Sequence, residues 1–316
     1  EGRAHGLVLD RAAVAGDDGG PDRLHAYGGG VPRLATILES GHLQSALWQA
    51  IEADGNVALR CPATIESLVR DGASTQLTLA DGTAIEAELI VGADGAASRI
   101  RDWAGLAATL APYGQSGVVA NFECGRAHRG TAFQWFFDSD ILAWLPLSGN
   151  CVSMVWSTRS AHADALLMLE PAALAEKVRA AGHERLGELR LLTPAAAFPL
   201  RLIRVAAAVA PGVALIGDAA HGVHPLAGQG VNLGFGDAEA LAAVLARQRR
   251  GNCGDMRVLQ RYARERAEPV QRMQAVTHGL HHLFADDRAA WLRNSGMKLV
   301  DRLPPLKAML VREAMS

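Results

Sequence analysis

The first regular pattern of hydrophobic and polar positions lies near the start of the chain. Gly, Asp and Pro dominate residues 14–31, which is typical of a loop. From Leu34 to Ile51 apolar residues recur mostly at the spacing of a helix, and this pattern stops before Asp54-Gly55. The sequence therefore predicts a loop followed by one helix of about 12 to 18 residues.

Three stretches after this helix alternate polar and apolar residues or run apolar, as strands do: 64–69, 76–79 and 84–90. The dipeptides Asp71-Gly72 and Asp81-Gly82 separate them, and such dipeptides favour tight hairpin turns. We therefore predict antiparallel strands, the last of which runs directly into the sequence GADG.

The pattern changes in the middle of the chain. Residues 118–158 are rich in β-forming Trp, Phe and Val, and predict a second sheet. An amphipathic helix is predicted over 171–181, because a proline occupies its first turn and apolar residues follow at helical spacing. The apolar strand predicted at 213–217 then leads into a strongly helical stretch at 234–247. This order of elements indicates a mixed α/β chain.

The last part of the chain has helical composition from 256 to 315, which Pro269 and Pro304-Pro305 are expected to interrupt. Within it, residues 291–315 interleave apolar with basic side chains. This pattern fits a helix pair that binds a membrane surface or a partner, and it equally fits a terminal helix that packs on the core. Both interpretations stay open.

Composition narrows the class of protein. Of the 316 residues, 49% are hydrophobic and 20% charged, which indicates a packed globular chain and excludes a disordered one. A net charge of -2 gives no global attraction to nucleic acid. The four cysteines form no C-x-x-C pair, and no metal site is expected. Without a membrane-spanning apolar run or a signal peptide, we expect a cytoplasmic protein, with peripheral membrane association as an open alternative.

A short motif, Gly92-Ala93-Asp94-Gly95, follows the apolar strand that ends at Val91. A carboxylate at the carboxyl end of a strand lies where α/β sheets bind nucleotides, and it can accept hydrogen bonds from ribose hydroxyls. The same residues also fit a plain strand, turn and helix in which Asp94 caps the helix. The residues alone leave both interpretations open.

A longer motif, GDAAHGVHPLAGQGVNLG, begins at Gly217 after the second apolar strand. It places Asp218 at a strand end, and a glycine-rich turn then leads into a helix. The first N–H groups of a helix are unpaired and lie at its positive end, so they suit a phosphate, a carboxylate or an anionic ring. The motif therefore predicts an anion-binding or nucleotide-binding site.

The two motifs, about 120 residues apart in this order, resemble those of the FAD-dependent aromatic hydroxylases of the para-hydroxybenzoate hydroxylase fold. Within that family the chain is most similar to the ubiquinone-biosynthesis hydroxylases. This closer resemblance extends over nearly the whole chain, and it includes the segments ILESGHLQSALWQAI, WLPLSG, VSMVWS and SGMKLVDRLPPLKAMLVREAM.

The resemblance implies roles for individual residues. Asp94 would serve both FAD and NAD(P)H, and Asp218 would contact the ribityl part of FAD. Pro225 and Gly228 would form the environment of the flavin ring, with no acid or base assigned. The implied cofactor-binding residues are Asp94, Gly95, Arg101, Gly217, Asp218, Leu226, Ala227, Gln229, Gly230, Val231 and Asn232.

The resemblance also leads us to expect a dinucleotide fingerprint, G-x-G-x-x-G, near the N-terminus, and nothing before Gly92 matches it. The GGG at 28–30 is no substitute, because no strand precedes it and Pro32 follows. We therefore expect that this chain lacks its first FAD-binding segment, holds FAD weakly and is inactive by itself.

The expected fold is α/β, a three-layer FAD-binding nucleotide fold with an inserted, mainly β substrate domain and C-terminal helices. The expected boundaries are 1–107 for part of the FAD-binding domain with the first motif, 108–205 for the substrate domain, 206–250 for the FAD-binding domain with the second motif, and 251–316 for the C-terminal helices.

The resemblance implies a flavin-dependent monooxygenase of ubiquinone biosynthesis. In this family NAD(P)H reduces FAD, O2 forms a C4a-hydroperoxide, and one oxygen passes to a polyprenylated phenol. Residues 133–156 contain no Lys or Arg to pair with an anionic substrate, so we expect an apolar cleft between this sheet and the Pro225 turn. Two alternatives stay open: a non-catalytic interaction subunit of a quinone-biosynthesis complex, and an FAD hydroxylase of a soluble aromatic.

Overall fold

The computed structural model describes residues 7–9, 11–15, 35–71, 74–137, 140–224, 228–248 and 251–285. Its strands are β1 (Leu7–Leu9), β2 (Arg11–Ala15), β3 (Ala35–Ile37), β4 (Ile65–Asp71), β5 (Ser74–Leu79), β6 (Ala84–Ala87), β7 (Ile90–Gly92), β8 (Ala108–Cys124), β9 (Thr131–Phe137), β10 (Asp140–Leu147), β11 (Cys151–Arg159), β12 (Leu189–Leu191), β13 (Ala196–Val205), β14 (Val209–Ala210), β15 (Val213–Leu215) and β16 (His221–Gly222). Its helices are α1 (Ser40–Glu52), α2 (Arg99–Trp103), α3 (Ser160–Leu167), α4 (Pro171–Ala181), α5 (Gly230–Ala246) and α6 (Met256–Ala285). A 3-10 turn covers Gly217–Ala219.

The chain divides into two compact units, and β8 and β13 contain two of the points at which it passes from one to the other. The first unit includes the described residues up to Ala58 and the segment from Gly114 to Pro199. The second includes Leu59–Tyr113 and Leu200–His281. The assignment of substrate and cofactor domains, with their boundaries, stays a prediction.

The first unit is built on the predicted β-rich sheet. Strands β8, β11, β10 and β9 pair antiparallel in that order, and β2 adds to β9 in parallel. Alternate residues of the strands form one apolar face, which α3 and α4 cover. The end of α4 packs so closely on this face that the Trp144 ring occupies the space of a Cβ atom at Gly182.

The second unit has three layers. Strands β4, β5 and β6 form the antiparallel sheet that the Asp-Gly turns predict. A second sheet has the order β14, β15, β7, with β15 and β7 parallel. Leu215 faces the first sheet and α2, whereas its neighbour Ala214 faces the α5 and α6 side. The two cores therefore lie on opposite faces of β15.

Several predicted elements differ from the structure. The predicted helix at 34–51 begins only at Ser40, because the β-branched pair Thr36-Ile37 belongs to β3, which pairs with β1. The predicted strand at 84–90 is two strands, β6 and β7, which belong to different sheets.

Helix α6 continues through Pro269, where the sequence predicts an interruption. A proline removes one hydrogen bond and crowds the preceding turn. Buried side chains on both sides of it, Leu259 and Tyr262 before and Gln274 and Thr277 after, hold the helix in place. Pro304-Pro305 lie outside the described residues. Across the described ranges, no helix combines the length and the hydropathy that crossing a membrane requires.

Candidate functional site

The two motifs of the sequence follow two neighbouring strands of the same sheet. Strands β7 and β15 pair in parallel, with Gly92 opposite Leu215, and the Ile216 N–H donates to the Gly92 carbonyl at 3.0 Å. A Cβ atom at Gly92 would lie 2.8 Å from Leu215 Cδ2 and 2.9 Å from Ile100 Cγ2, so close packing alone requires this glycine. Because the carboxyl ends of parallel neighbours share one edge, both motif acids follow the same edge of the sheet.

Asp94 caps helix α2. The Ser98 hydroxyl donates to its Oδ1 at 2.5 Å, and the Arg99 and Ile100 N–H groups donate to its Oδ2 at 2.8 and 3.1 Å. Partial burial raises the pKa of this carboxyl, but the bonds from Ser98, Ile100 and Arg99 outweigh burial, so the net pKa is lowered. The geometry shows that Asp94 supports the start of α2 beside the N-cap residue Ser98, and the contact of its ionised carboxylate with FAD or NAD(P)H stays a prediction.

Arg101 joins the two motifs. Its side chain is buried, Nη2 donates to the Ala96 carbonyl at 3.1 Å, and Nη1 donates to the Ala219 carbonyl at 3.2 Å. Ala96 lies in the first motif and Ala219 in the second. The guanidinium therefore holds the two turns together, and it also borders a cavity of about 510 Å³ with Arg201.

The second motif begins in the 3-10 turn after β15. Gly217 has a φ of +59°, a conformation that favours glycine, and Gly95 of the first motif has a φ of +81°. Asp218 is exposed, and no hydrogen bond or ion pair to its carboxylate exists within the ranges that the structure describes. Unlike Asp94, this acid at the strand end has its acceptor atoms available to a ligand.

Helix α5 begins at Gly230, earlier than predicted, and its first turn is open. A Cβ atom at Gly228 would meet nothing within 4 Å, Val231 is 63% exposed and Asn232 is also exposed. The Asn232 amide donates to Gln229 Oε1 at 2.7 Å. Predicted site residues Pro225, Leu226 and Ala227 lie outside the described residues. The start of this 17-residue helix carries the positive end of its dipole, which attracts an electron-rich group.

These features fit a dinucleotide such as FAD. Asp218 offers a carboxylate to hydroxyl groups, the start of α5 offers N–H groups to an anionic edge, and Gly228 leaves room for a flat ring system.

A buried acid that sequence analysis missed lies behind the second motif. Asp237 of α5 is fully buried. Its Oδ2 atom accepts hydrogen bonds from the Gly217 N–H at 2.8 Å and from His221 Nε2 at 2.6 Å. Its Oδ1 atom accepts a hydrogen bond from Arg266 Nε at 2.7 Å. Burial raises its pKa, but these donors and the nearby positive charge outweigh burial and lower it. The signal was present, because Asp237 stands four residues from both Leu233 and Leu241 on the apolar face of the helix.

The histidines do not form a metal site in the described part of the chain, where no three His, Cys, Asp or Glu side chains come together as ligands. His221 bonds Asp237, and the buried ring of His224 packs edge-on against Tyr113, with ring centroids 4.9 Å apart. The side chains of His281 and His282 lie outside the described residues.

Comparison with known proteins agrees with this geometry. The family described as "FAD binding domain" matches residues 19–277. The ubiquinone hydroxylase UbiL of Rhodospirillum rubrum is 35% identical over 313 residues, which cover 98% of this chain and 72% of that protein. The 3-demethoxyubiquinol 3-hydroxylase of Escherichia coli is 36% identical over 289 residues, which cover 90% of this chain and 74% of that protein.

Solved structures share the fold at low sequence identity. Klebsiella pneumoniae HpxO complexed with FAD and uric acid has a TM-score of 0.73 at 16% identity, over 98% of this chain and 80% of that one. The p-nitrophenol 4-monooxygenase PnpA of Pseudomonas putida has a TM-score of 0.75 at 16% identity, over 98% and 82%. The fold, the two motifs and the family match agree, and the chain belongs to the FAD-binding domain family of flavin-dependent monooxygenases.

Proposed function

We propose that this protein hydroxylates a lipophilic, polyprenylated phenol in ubiquinone biosynthesis, with NAD(P)H as the reductant and O2 as the oxygen donor. The observation that carries the proposal is the placement of both motif acids at one edge of the β14–β15–β7 sheet, in a chain whose relatives are named ubiquinone hydroxylases. In the overall reaction NAD(P)H supplies two electrons, one oxygen atom of O2 enters the ring as a hydroxyl, and the other leaves as water.

We propose that FAD is held by the second motif. Asp218 accepts hydrogen bonds from hydroxyl groups of its ribityl chain, and the N–H groups of Gly230, Val231 and Asn232 face the electron-rich edge of its ring. Bound FAD supplies the redox chemistry and the activation of oxygen. Gly217, Gly228 and Gln229 belong to the same turn and helix start, and the predicted contacts of Pro225, Leu226 and Ala227 stay predictions.

The first motif has a supporting part in this proposal. Both oxygens of Asp94 bond the start of α2, and Arg101 spans Ala96 and Ala219, so these residues fix the backbone on which FAD rests. Gly95, with its positive φ, leaves the backbone beside Asp94 open to a ligand. A direct contact of Asp94 with FAD or NAD(P)H would use the outer lone pairs of an exposed, ionised carboxylate.

The face of the first unit's sheet that does not contact α3 and α4 suits a lipophilic substrate. Cross-strand neighbours Ala143, Val155 and Val119 lie on it, and the next row contains Leu145, Ser153 and Asn121. These residues are uncharged and only partly buried. The row Ala143, Val155 and Val119 offers apolar surface to an aromatic ring with a prenyl tail. The basic side chain of the row that follows, Arg190, is paired with Glu123 and is not free for a small anionic substrate.

Acids on both faces of this sheet are already bonded. Glu123 lies on the same face as Val119 and Asn121, and it accepts a hydrogen bond from Arg190 Nε at 2.8 Å. Asp140 lies on the opposite face, which α3 covers.

Asp140 accepts hydrogen bonds from Trp156 Nε1 at 3.0 Å and from the Thr158 hydroxyl at 2.6 Å, and its Oδ2 lies 3.2 Å from His162 Nδ1. Its charge is therefore compensated within the first unit. The predicted cleft toward the Pro225 turn lies partly outside the described residues and stays a prediction.

The experiment that tests the function compares two substrates with the full protein loaded with FAD. We expect a short-chain prenylphenol to give NAD(P)H oxidation coupled to one hydroxylated product, and para-hydroxybenzoate to give none. Coupled hydroxylation of the small acid would favour an FAD hydroxylase of soluble aromatics instead. Failure to retain FAD at all would favour a non-catalytic subunit of a quinone-biosynthesis complex.

A further inference from the structure

The Asp237 network connects three elements at the back of the second motif. One carboxylate receives donors from the turn at Gly217, from the start of β16 at His221, and from α6 at Arg266. Arg266 also donates through Nη2 to the Leu233 carbonyl at 3.1 Å, in the first turns of α5. The network therefore ties both proposed flavin-holding parts, the turn and the helix start, to one point.

Two glycines of α5 lie where this network packs, Gly234 against the turn and Gly236 against Arg266. A Cβ atom at Gly234 would lie 3.4 Å from the Gly217 Cα, an ordinary contact distance, which shows that α5 packs against the turn at this position. A Cβ atom at Gly236 would lie 3.0 Å from Nη2 of Arg266, inside ordinary contact distance. Gly236 thus leaves the space that the Arg266 guanidinium occupies beside Asp237.

We propose that Asp237, together with His221 and Arg266, positions the flavin by fixing the Gly217-Asp218 turn relative to the start of α5. Gly217 has a backbone conformation with wide freedom, and the direction of the Asp218 carboxylate depends on it. The bond from the Gly217 N–H to Asp237 removes that freedom. This inference rests on the proposed function, because it takes Asp218 and the start of α5 as the groups that hold FAD.

A charged network between the turn, α5 and α6 costs more desolvation free energy than apolar side chains would. We take this as an indication that the network fixes the position of the turn. Burying charged groups carries a large desolvation cost, and apolar side chains of similar volume often stabilise a core equally well. A leucine at 237 would match the neighbouring Leu233 and Leu241, but it could not accept the Gly217 N–H.

A cavity makes the inference testable by chemical rescue. A space of about 620 Å³ within the second unit is bordered by His221, Asp237 and Arg266, and also by Arg204 and Gln274. If the Arg266 side chain is shortened, a guanidinium ion from solution can therefore reach the vacated place beside Asp237. A role that depends only on the packing of the arginine stem would not respond to this ion.

The experiment measures the FAD dissociation constant of the full protein by titration of the apoprotein, together with the absorption spectrum of the bound flavin. The variants are Arg266→Ala, Arg266→Lys and Asp237→Asn, with Arg264→Ala as the control on an exposed position of the same helix. Arg266→Ala is titrated with and without millimolar guanidinium, and with urea as an uncharged analogue.

We expect Arg266→Ala and Asp237→Asn to weaken FAD binding by about tenfold or more, as loss of charged hydrogen bonds would. Guanidinium should restore binding and the flavin spectrum in Arg266→Ala but not in Asp237→Asn, and urea should restore neither. Arg266→Lys should lie between wild type and Arg266→Ala, and Arg264→Ala should match wild type.

Two outcomes separate this inference from the proposed function. If Asp218→Ala weakens FAD binding while the Arg266 and Asp237 variants bind within twofold of wild type, the flavin site stands and the positioning role is wrong. If wild type itself does not bind FAD, both are wrong. If Arg266→Ala does not fold, Arg266→Gln keeps most of the side-chain volume without the charge and should weaken FAD binding as Asp237→Asn does, whereas FAD binding within twofold of wild type would contradict the positioning role.

Discussion

Among single residues, Asp218 gives the most direct test of the cofactor site. Its carboxylate is exposed at a strand end, and one or two charge-assisted hydrogen bonds to FAD should stabilise the complex by about 1 to 3 kcal/mol. We expect Asp218→Ala to weaken FAD binding by that amount in a titration of the apoprotein. Asp164→Ala, at an exposed position of α3 in the other unit, is the matched control and should bind FAD as wild type does.

The acid sensitivity of the fold should depend on Asp237. Its donors hold the folded-state pKa below the unfolded value, so the ionised carboxylate stabilises the folded protein fully above the unfolded pKa of about 3.9. This contribution is lost as the pH falls through the folded-state pKa, because the unfolded state then binds more protons. Urea unfolding between about pH 5 and pH 3 should show a steeper loss of stability for wild type than for Asp237→Asn. Parallel curves would contradict the assignment.

The positions of single residues could be predicted where a neighbouring hydrophobic pattern determines them, but their long-range contacts could not. The strand-end position of Asp218 follows from the apolar run before it, and the structure places it there. The buried roles of Arg101 and Asp237 could not be predicted, since each depends on partners 118 and 29 residues away. Because charged residues are mostly exposed in folded proteins, sequence analysis predicts a surface position for a charged residue unless another signal is present.

At the scale of elements, α6 contains a proline that its packing tolerates. Pro269→Ala restores an N–H group and removes a ring clash, which together stabilise the helix by up to about 3 kcal/mol. The change also raises the conformational entropy of the unfolded chain, which lowers the stability by about 0.4 to 1 kcal/mol. We expect a net gain of about 1 to 2 kcal/mol in the free energy of unfolding, measured by denaturant titration. Ala275→Gly, on an exposed position of the same helix, should lose about 1 kcal/mol.

The junction of α4 with the sheet should be intolerant of one added methyl group. The ring of Trp144 fills the place of a Cβ atom at Gly182, so Gly182→Ala should cost about 1 to 3 kcal/mol of unfolding free energy. Gly41→Ala in α1 meets nothing within 4 Å and should be neutral or slightly stabilising. Equal effects of the two changes in thermal unfolding would show that the α4 end relaxes away from the sheet.

Elements were predicted best where a local signal fixes both ends. Pro171 and the apolar spacing gave the full length of α4, and the Asp-Gly turns gave β4, β5 and β6. Helix α1 has 13 residues, within the predicted length, but the first positions of the helical pattern belong to β3, because residues 35–37 find a strand partner at 7–9, which helical spacing cannot reveal. The break between β6 and β7 was missed for the same reason, as β7 pairs with β15 far along the chain.

At the scale of the whole molecule, the order in which the chain is made limits when its cofactor can bind. The second unit consists of Leu59–Tyr113 and Leu200–His281, with most of the first unit between them. Such long-range pairing forms slowly and late. A nascent chain that has emerged only as far as Leu215 contains the first motif and both sheets of the second unit, but neither α5 nor α6. If Arg266 positions the flavin as proposed, flavin capture during synthesis waits until Arg266 has left the ribosome, and until then the sheet edge that bears both motif acids lacks α5 and α6.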